Sequence, residues 1–191
     1  MGLTIEKKKG VKRSRAVTHN LADIPGGVCI DTSEITQPTL AEGTAVGKDA
    51  NGLYHIIKTA TLAANAANDA TTYTVKKGHN FKVGDVIMLK TKGKAYAISA
   101  IATNATDANA DDLTVGTTLG VTATTGDVVF QAAAVGASNS AFKYTPLGII
   151  NTSYDVEPNL FVAVTTIGQV EGAKIEPLGE IADALPLINI I

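Results

Sequence analysis

The densest pattern of alternating apolar and polar positions lies between residues 72 and 130. A Gly-Asp pair precedes a run of β-branched residues twice there, at Gly84-Asp85 and at Gly126-Asp127. Glycine accepts positive φ and an aspartate side chain binds nearby backbone N–H groups, so each pair predicts a turn that enters a strand. Two further apolar runs lie between them, at residues 95–101 and 113–115. The stretch therefore predicts a small antiparallel β-barrel-like module of about five short strands.

Strand patterns flank this module on both sides. Asn51-Gly52 separates two β-type runs, residues 43–48 and 53–57, and predicts a hairpin with positive φ at both turn residues. Further strands are predicted within residues 142–150 and 160–167. Connectors rich in small residues lie near residues 60–70 and 132–140. We therefore expect residues 61–140 to be a module inserted into a second β domain, formed by residues 39–60 and 141–191.

Composition supports a mainly β chain. Hydrophobic residues make up 45% of the 191 positions and charged residues only 18%, with no Trp. Frequent Thr, Val and Gly favour strands and tight turns, and such a sparsely charged surface suits a protein that works docked in an assembly. Without a signal-peptide pattern or a long apolar span, the sequence predicts synthesis in a reducing cytoplasm and no membrane.

Charge is concentrated at the start of the chain. Residues 1–20 carry a net charge of +5 and the remainder −7. We interpret residues 1–38 as an extended basic arm that orders on an acidic partner surface, with Val28, Cys29 and Ile30 forming a strand that pairs with a partner chain. A solvated tail is the alternative, and nucleic-acid binding is disfavoured because no aromatic residue interleaves with the charges. The cationic residues of this arm are Lys7, Lys8, Lys9, Lys12, Arg13 and Arg15.

The sequence carries no motif for catalysis or for a cofactor. His19, His55 and His79 are far apart, and Cys29, in an apolar run, is expected to be a buried inert thiol. Residues 107–112 begin like a calcium loop, but the positions that require Gly and the bidentate Glu hold Asp112 and Thr118. These patterns predict a protein that is not an enzyme and has no catalytic, cofactor-binding or metal-binding residue.

Several segments together resemble the head-decoration and head-fibre proteins of tailed bacteriophages. Three segments resemble the decoration proteins: residues 41–52, Pro146-Leu147-Gly148-Ile149-Ile150 with Tyr154-Asp155-Val156, and residues 161–170; residues 78–85 resemble the small barrel of related capsid-accessory proteins. The likeness covers about two thirds of the chain in short turn-based motifs. It implies a decoration-protein-like β domain and a homotrimer that is made in the host cytoplasm and sits on the outer surface of the virion, with the major capsid protein as partner and room for a further fibre protein. It also implies that residues 1–38 are the capsid anchor, in which the six cations attract the shell and Val28, Cys29 and Ile30 add a strand to a capsid edge.

The chain ends in an apolar run. We expect this run to be buried, either in the chain's own core or against another subunit, because the chain is otherwise poor in large hydrophobic residues. We predict that it lines part of the core of a homotrimer. The predicted trimer contacts are Leu185, Leu187, Ile188, Ile190 and Ile191. The alternative function is a surface adhesion or carbohydrate-binding β module, although aromatic residues, the usual platforms for sugars, make up only 5% of the chain. A small hydrolase is disfavoured by the absence of catalytic motifs.

Overall fold

The computed structural model describes residues 15–191, of which 42% lie in strands and 6% in helices. The prediction of a mainly β protein is therefore confirmed. The strands are β1 (Val17–Asp23), β2 (Val28–Cys29), β3 (Thr39–Leu40), β4 (Ala45–Lys48), β5 (Tyr54–Ile56), β6 (Thr59–Thr61), β7 (Thr72–Lys76), β8 (Val86–Met88), β9 (Ala95–Thr103), β10 (Ala110–Val115), β11 (Val128–Gln131), β12 (Thr145–Ile150), β13 (Tyr154–Asp155), β14 (Phe161–Val162), β15 (Val164–Val170) and β16 (Ile188–Ile190). One α-helix, α1 (Ile181–Ala184), and two 3-10 helices, Thr32–Glu34 and Gly172–Lys174, complete the described elements.

The first sheet gathers strands from both ends of the chain. Its order is β1-β15-β12-β4-β5, and β16 lies parallel to β15. The neighbouring strands on the path are antiparallel. Two further pairs, β3 with β13 and β2 with β14, attach the segment after β1 to the segment after β12. Two of the five strand pairings in this sheet, β1 with β15 and β4 with β12, thus join residues about a hundred or more positions apart.

The predicted extended arm is wrong for the part of residues 1–38 that the structure describes. Val17 is 7% exposed and begins an edge strand of the first sheet, where β1 pairs with β15. Val28 and Ile30 are 4% and 2% exposed and belong to a core cluster with Val162 and Val164. These apolar side chains are buried in the chain's own core, which fixes residues 17–30 within the fold.

The predicted hairpin at Asn51-Gly52 is confirmed, with a different turn. Strands β4 and β5 pair antiparallel across a five-residue loop. Gly52 has φ of +90°, whereas Asn51 does not have positive φ. The Asp49 carboxylate accepts hydrogen bonds from the backbone N–H groups of Asn51 and Leu53, at 2.9 and 2.8 Å. This side-chain cap replaces the second positive φ that a two-residue turn requires.

The second sheet is built from residues 59–131 alone, in the order β6-β11-β8-β9-β10-β7. Its two outer strands approach each other at one point, where Leu62 bridges Val75 and the Ala63 N–H donates to the Thr74 carbonyl at 2.9 Å. No sheet of the described residues closes into a barrel. The barrel-like closure is thus limited to a single bridge, because β6 is only three residues long and the chain turns away after Leu62.

The two Gly-Asp turns occupy equivalent places in this sheet. In each, the Asp carboxylate accepts from the backbone N–H three residues earlier, Lys82 at 2.8 Å and Thr124 at 2.7 Å. Gly84 N–H donates to the carbonyl of Ile98, whose N–H donates to Asp85, both at 2.8 Å. Gly126 and Asp127 make the same reciprocal pair with Leu62, at 2.9 and 2.8 Å.

Strand order in the second sheet follows the same equivalence. Strands β6, β7 and β8 correspond in order to β9, β10 and β11, since β6 pairs with β11 as β9 pairs with β8. Tyr73 lies opposite Leu113 in β7–β10, and Met88 lies opposite Phe130 in β8–β11, so each pair maps onto itself when residues 59–88 and 95–131 are exchanged. The two halves differ in one respect: β9 and β10 form a long ladder, whereas the β6 segment meets β7 only at the Leu62–Val75 bridge. The register therefore gives the second sheet an approximate internal two-fold symmetry.

The two six-stranded sheets share one hydrophobic core. Met88 and Phe130 of the second sheet belong to the same buried cluster as Ile149 and Val170 of the first. A second cluster, which includes Leu62, Tyr73 and Leu113, lies within the second sheet. The division into an inserted module and a β domain stays a prediction, because shared packing does not tell whether either part folds alone.

Candidate functional site

An uncharged surface lies on strands β1, β15 and β16, which are side by side. Residues 16–22, 164–170 and 184–191 contain no Asp, Glu, Lys or Arg, although the chain's 18% charged fraction would place about four among them. We define the uncharged face as a set of exposed or partly exposed residues on these strands and at the two positions that flank β16. They are Leu21, Ile167, Gln169, Leu187, Asn189 and Ile191.

Strand register places these residues close together. Gln169 lies opposite Asn189 on β16 and opposite His19 on β1. Leu21 sits at a register shift in β1, beside Ile167, and is 74% exposed. The alternating residues on the other side, including Gly168, Val170 and Ile188, are buried. The sheet thus buries one side in the core and leaves an apolar, uncharged side open.

The predicted trimer contacts divide into two groups. Leu185 and Ile188 are each 6% exposed and belong to the core cluster of the chain itself, so they are not free to contact another copy. Leu187 and Ile191 are each 60% exposed, and Ile190 is 40% exposed. Sequence periodicity could not separate these groups, since the parallel pairing of β16 with β15 decides which side chains turn inward.

The predicted capsid-binding residues are also separated. Lys7, Lys8, Lys9, Lys12 and Arg13 lie outside the described residues, and Arg15 is exposed. Val28-Cys29-Ile30 belongs to the folded chain, because β2 pairs with β14 and Ile30 N–H donates to the Leu160 carbonyl at 2.9 Å. The addition of this strand to a capsid edge stays a prediction. Cys29 is exposed, contrary to the expected buried thiol.

Glu42 fixes the start of the described chain. Its Oε1 accepts from the backbone N–H groups of Ala16 at 2.9 Å and Val17 at 2.8 Å. Ala16 in turn offers its carbonyl to the N–H of Glu171 at 2.9 Å. A carboxylate that binds two N–H groups holds β1 against the first sheet. Sequence reasoning missed this role, since Glu42 lies 26 positions from Ala16.

A buried polar cluster surrounds His55. Its ring stacks on that of Tyr144 with centroids 4.2 Å apart. Asp31 and Glu34 lie 3.7 and 4.0 Å from Nδ1, and Asp49 lies 3.7 Å from Nε2. Neither ring nitrogen makes a hydrogen bond within the described part of the chain. Without a hydroxyl or thiol bonded to His55 in that part, the cluster has no nucleophile–base pair.

Hydrogen bonds and charge set the ionisation of this cluster. The backbone hydrogen bond from Ser33 lowers the pKa of the Asp31 carboxyl. Burial, the largest single effect, acts to lower the pKa of Lys143, but its hydrogen bonds and charge interactions with Glu34 and Tyr144 together outweigh burial and raise that pKa. Burial also raises the pKa of the Tyr144 hydroxyl. The cluster thus keeps a lysine–carboxylate pair between Glu34 and Lys143, which joins the N-terminal segment to the residues just before β12.

A second buried ion pair joins the two sheets. Lys58 Nζ lies 2.8 Å from Asp85 Oδ2, and the Lys58 side chain is 1% exposed. Gln131 Nε2 donates to the other Asp85 oxygen at 3.2 Å. Lys58 follows β5 of the first sheet, whereas Asp85 belongs to the turn before β8 of the second. The first Gly-Asp turn therefore carries a partner that Asp127 in the second turn does not have within the described residues.

His79 lies where residues 36–37 contact the second sheet. Its Nδ1 accepts from the Phe81 N–H at 3.2 Å, and its Nε2 lies 3.5 Å from Asp111. Asn80 Oδ1 accepts from the Thr36 N–H at 2.8 Å. Burial lowers the pKa of His79, and the Asp111 charge opposes that effect. The neutral ring thus acts as an acceptor that orders the turn before β8.

The acidic turn at residues 107–112 organises its own backbone. Asp107 accepts from the Asn109 N–H at 2.9 Å, and Asn104 Nδ2 donates to Asp112 at 2.9 Å. Throughout residues 15–191, no group of three or more His, Cys, Asp or Glu side chains is placed to hold a metal ion. No helix among those residues is long and apolar enough to cross a membrane.

Comparisons of the chain with family models, with curated proteins and with solved structures gave no match.

Proposed function

We propose that this chain is a structural virion protein of a tailed bacteriophage, a head-decoration or head-fibre protein. It binds the outside of the capsid as a homotrimer and performs no catalysis. Cementing or extending the shell requires buried area and a precise shape rather than a reactive centre.

One observation carries the proposal. The sequence segments that resemble decoration proteins are separated by about a hundred residues, yet they form neighbouring strands of one sheet. Residues 45–48 form β4, which pairs with β12, and β12 pairs with β15. Gly47 and Gly148 approach these partners closely, since a Cβ at either would lie 2.7 and 2.5 Å from a backbone oxygen. The glycines of the resembling motifs are thus required where β4, β12 and β15 meet.

The basic segment remains the proposed capsid anchor. The five cations at residues 7–13 and Arg15 would be attracted to an acidic shell, which speeds encounter and weakens with salt. Three such segments in a trimer act together, so a modest affinity of each is sufficient. Residues 17–38 are part of the folded chain, so in this proposal they contact the shell from the folded body rather than as a free arm.

The test is co-sedimentation with empty heads of the phage that encodes the chain. The full chain and a variant without residues 1–14 are compared at low and high salt. The deletion ends at residue 14 because a longer one, such as residues 1–35, would also remove β1 and β2 from the fold.

We expect the full chain to sediment with the heads and the shortened chain to bind more weakly, with less dependence on salt. If neither binds, the decoration proposal is wrong. If both bind equally tightly, the segment 1–14 is not the anchor.

A further inference from the structure

We propose that the uncharged face, together with the free edge of β16, is the contact with a second copy of this chain. The inference rests on the proposed function for the number of copies. It does not depend on the capsid.

The free edge follows from the hydrogen bonds of β16. Gly168 N–H donates to the Leu187 carbonyl at 3.1 Å, and Ile191 N–H donates to the Val170 carbonyl at 2.9 Å. In a parallel pair, alternate residues of a strand bind the same neighbour. The backbone N–H and C=O groups of residues 187, 189 and 191 therefore point toward β15, whereas those of Ile190 point to the open side.

This edge lacks the features that prevent strand pairing. It has no charged side chain, and the register of β16 against β15 is regular. By contrast, the β1 edge of the same sheet has three register shifts along β15 and ends at Asp23. Bulges and charges are the usual means of protecting an edge strand, so β1 is protected and β16 is open.

Charge indicates the kind of partner. A charged partner would gain nothing from a surface that carries no formal charge, because burying its own charges there would be unfavourable. The same face of another copy is equally uncharged and apolar. Contact between copies therefore removes Leu187 and Ile191 from water without desolvating an ion.

The experiment measures self-association of the full chain by native mass spectrometry and by sedimentation velocity over a range of concentrations. The first variant, L187S/I191S, removes two apolar side chains that are each 60% exposed. The matched control, V83S/V135S, removes two that are 62% and 57% exposed on the second sheet and its flank. A third variant, I190P, removes the outward N–H and leaves the hydrogen bonds of residues 187 and 191 in place.

We expect the wild type and V83S/V135S to associate equally, and L187S/I191S to associate at least about tenfold more weakly. I190P should also weaken association. Circular dichroism of each variant checks that the monomer is folded. A monomeric wild type, or equal association of L187S/I191S and the control, overturns the inference. If I190P associates as tightly as the wild type, the β16 edge is not part of the contact.

These outcomes are separate from those for the capsid. A monomer that sediments with heads contradicts this inference and keeps the decoration proposal. A homo-oligomer that does not bind heads supports this inference and contradicts the decoration proposal.

Discussion

At the scale of single residues, the Lys58–Asp85 pair is a buried ion pair between the segment that links the two sheets and the second sheet. Replacing Asp85 by Ala leaves a lysine buried without its partner carboxylate. Because an unpaired buried charge is costly, we expect D85A to lower the free energy of unfolding by about 3 kcal/mol. Chemical denaturation measures this change.

The second Gly-Asp turn, at Gly126-Asp127, provides a control for this substitution. D127A removes the same turn contacts at the equivalent place, where the described residues offer no lysine partner. We expect it to cost only about 1–2 kcal/mol. Equal losses for D85A and D127A would show that the ion pair adds nothing beyond the turn.

His79 makes the stability of the protein depend on pH. Its folded-state pKa is lowered from 6.5, so the unfolded chain binds a proton more readily than the folded chain. The stabilisation is complete above pH 6.5 and is lost as pH falls below that value toward the folded-state pKa.

We therefore expect the unfolding free energy to fall between pH 7 and pH 5, by less than about 1.4 kcal/mol per pH unit for this group. The H79Q variant should show a flatter dependence. Unfolding curves across this range test the prediction, and parallel curves for the two proteins would contradict it.

Residue roles were the least predictable from the sequence. The partners of Glu42 and Lys143 lie 26 and 109 positions away, and no local pattern connects such distances. Cys29 illustrates the same limit. Its apolar neighbours Val28 and Ile30 are buried, but alternation along the extended segment turns Cys29 outward.

At the scale of elements, the Gly-Asp turns depend on backbone conformation. Gly84 and Gly126 have φ of +94° and +98°, and no atom lies within 4 Å of a Cβ added at either. Replacing either by Ala therefore introduces strain without a clash, and should cost about 1–2 kcal/mol.

Gly116 is the matched control for these turns. A Cβ added there is equally free of contacts, and its φ is not positive. G116A should raise stability by about 0.4–1 kcal/mol, because it restricts the unfolded chain. Thermal unfolding of the three variants checks both signs, and a destabilising G116A would refute this explanation.

Elements with strong local signals were predictable. Asn51-Gly52 and both Gly-Asp pairs mark turns whose chemistry lies within a few residues. β1 could not be recognised, since four consecutive residues of it are exposed and its pairing partner is about 150 positions away. The segment at residues 59–61, interpreted as a connector, is strand β6, because pairing with β11 overrides its weak local preference.

At the scale of the whole molecule, the C-terminal strand contributes to both folding and assembly. Deleting residues 187–191 removes β16 and the buried Ile188, and it exposes one side of β15. We expect lower solubility, weaker self-association and a loss of roughly 2 kcal/mol in stability. A shortened chain with unchanged melting temperature and unchanged association would contradict this role.

The fold class followed from composition, but the arrangement of the sheets did not. Thr, Val and Gly content with short alternating runs is enough to predict strands. The order β1-β15-β12-β4-β5 depends on pairs far apart in sequence, which periodicity cannot encode. The uncharged face has a sequence signal, the absence of charge from three separate segments, but only the sheet brings them together.

The internal symmetry of the second sheet makes its two halves, residues 59–88 and 95–131, depend on each other. Between the halves, β6 pairs with β11, β8 with β9 and β11, and β7 with β10. Within the halves, only β9 and β10 form a ladder, and the β6 segment meets β7 at one bridge. A chain cut between β8 and β9 would therefore leave residues 59–88 without almost all their strand partners. The halves share Thr-Val at residues 74–75 and 114–115 and Gly-Asp-Val at residues 84–86 and 126–128, yet among the described residues Lys58 binds only the first of the two turns.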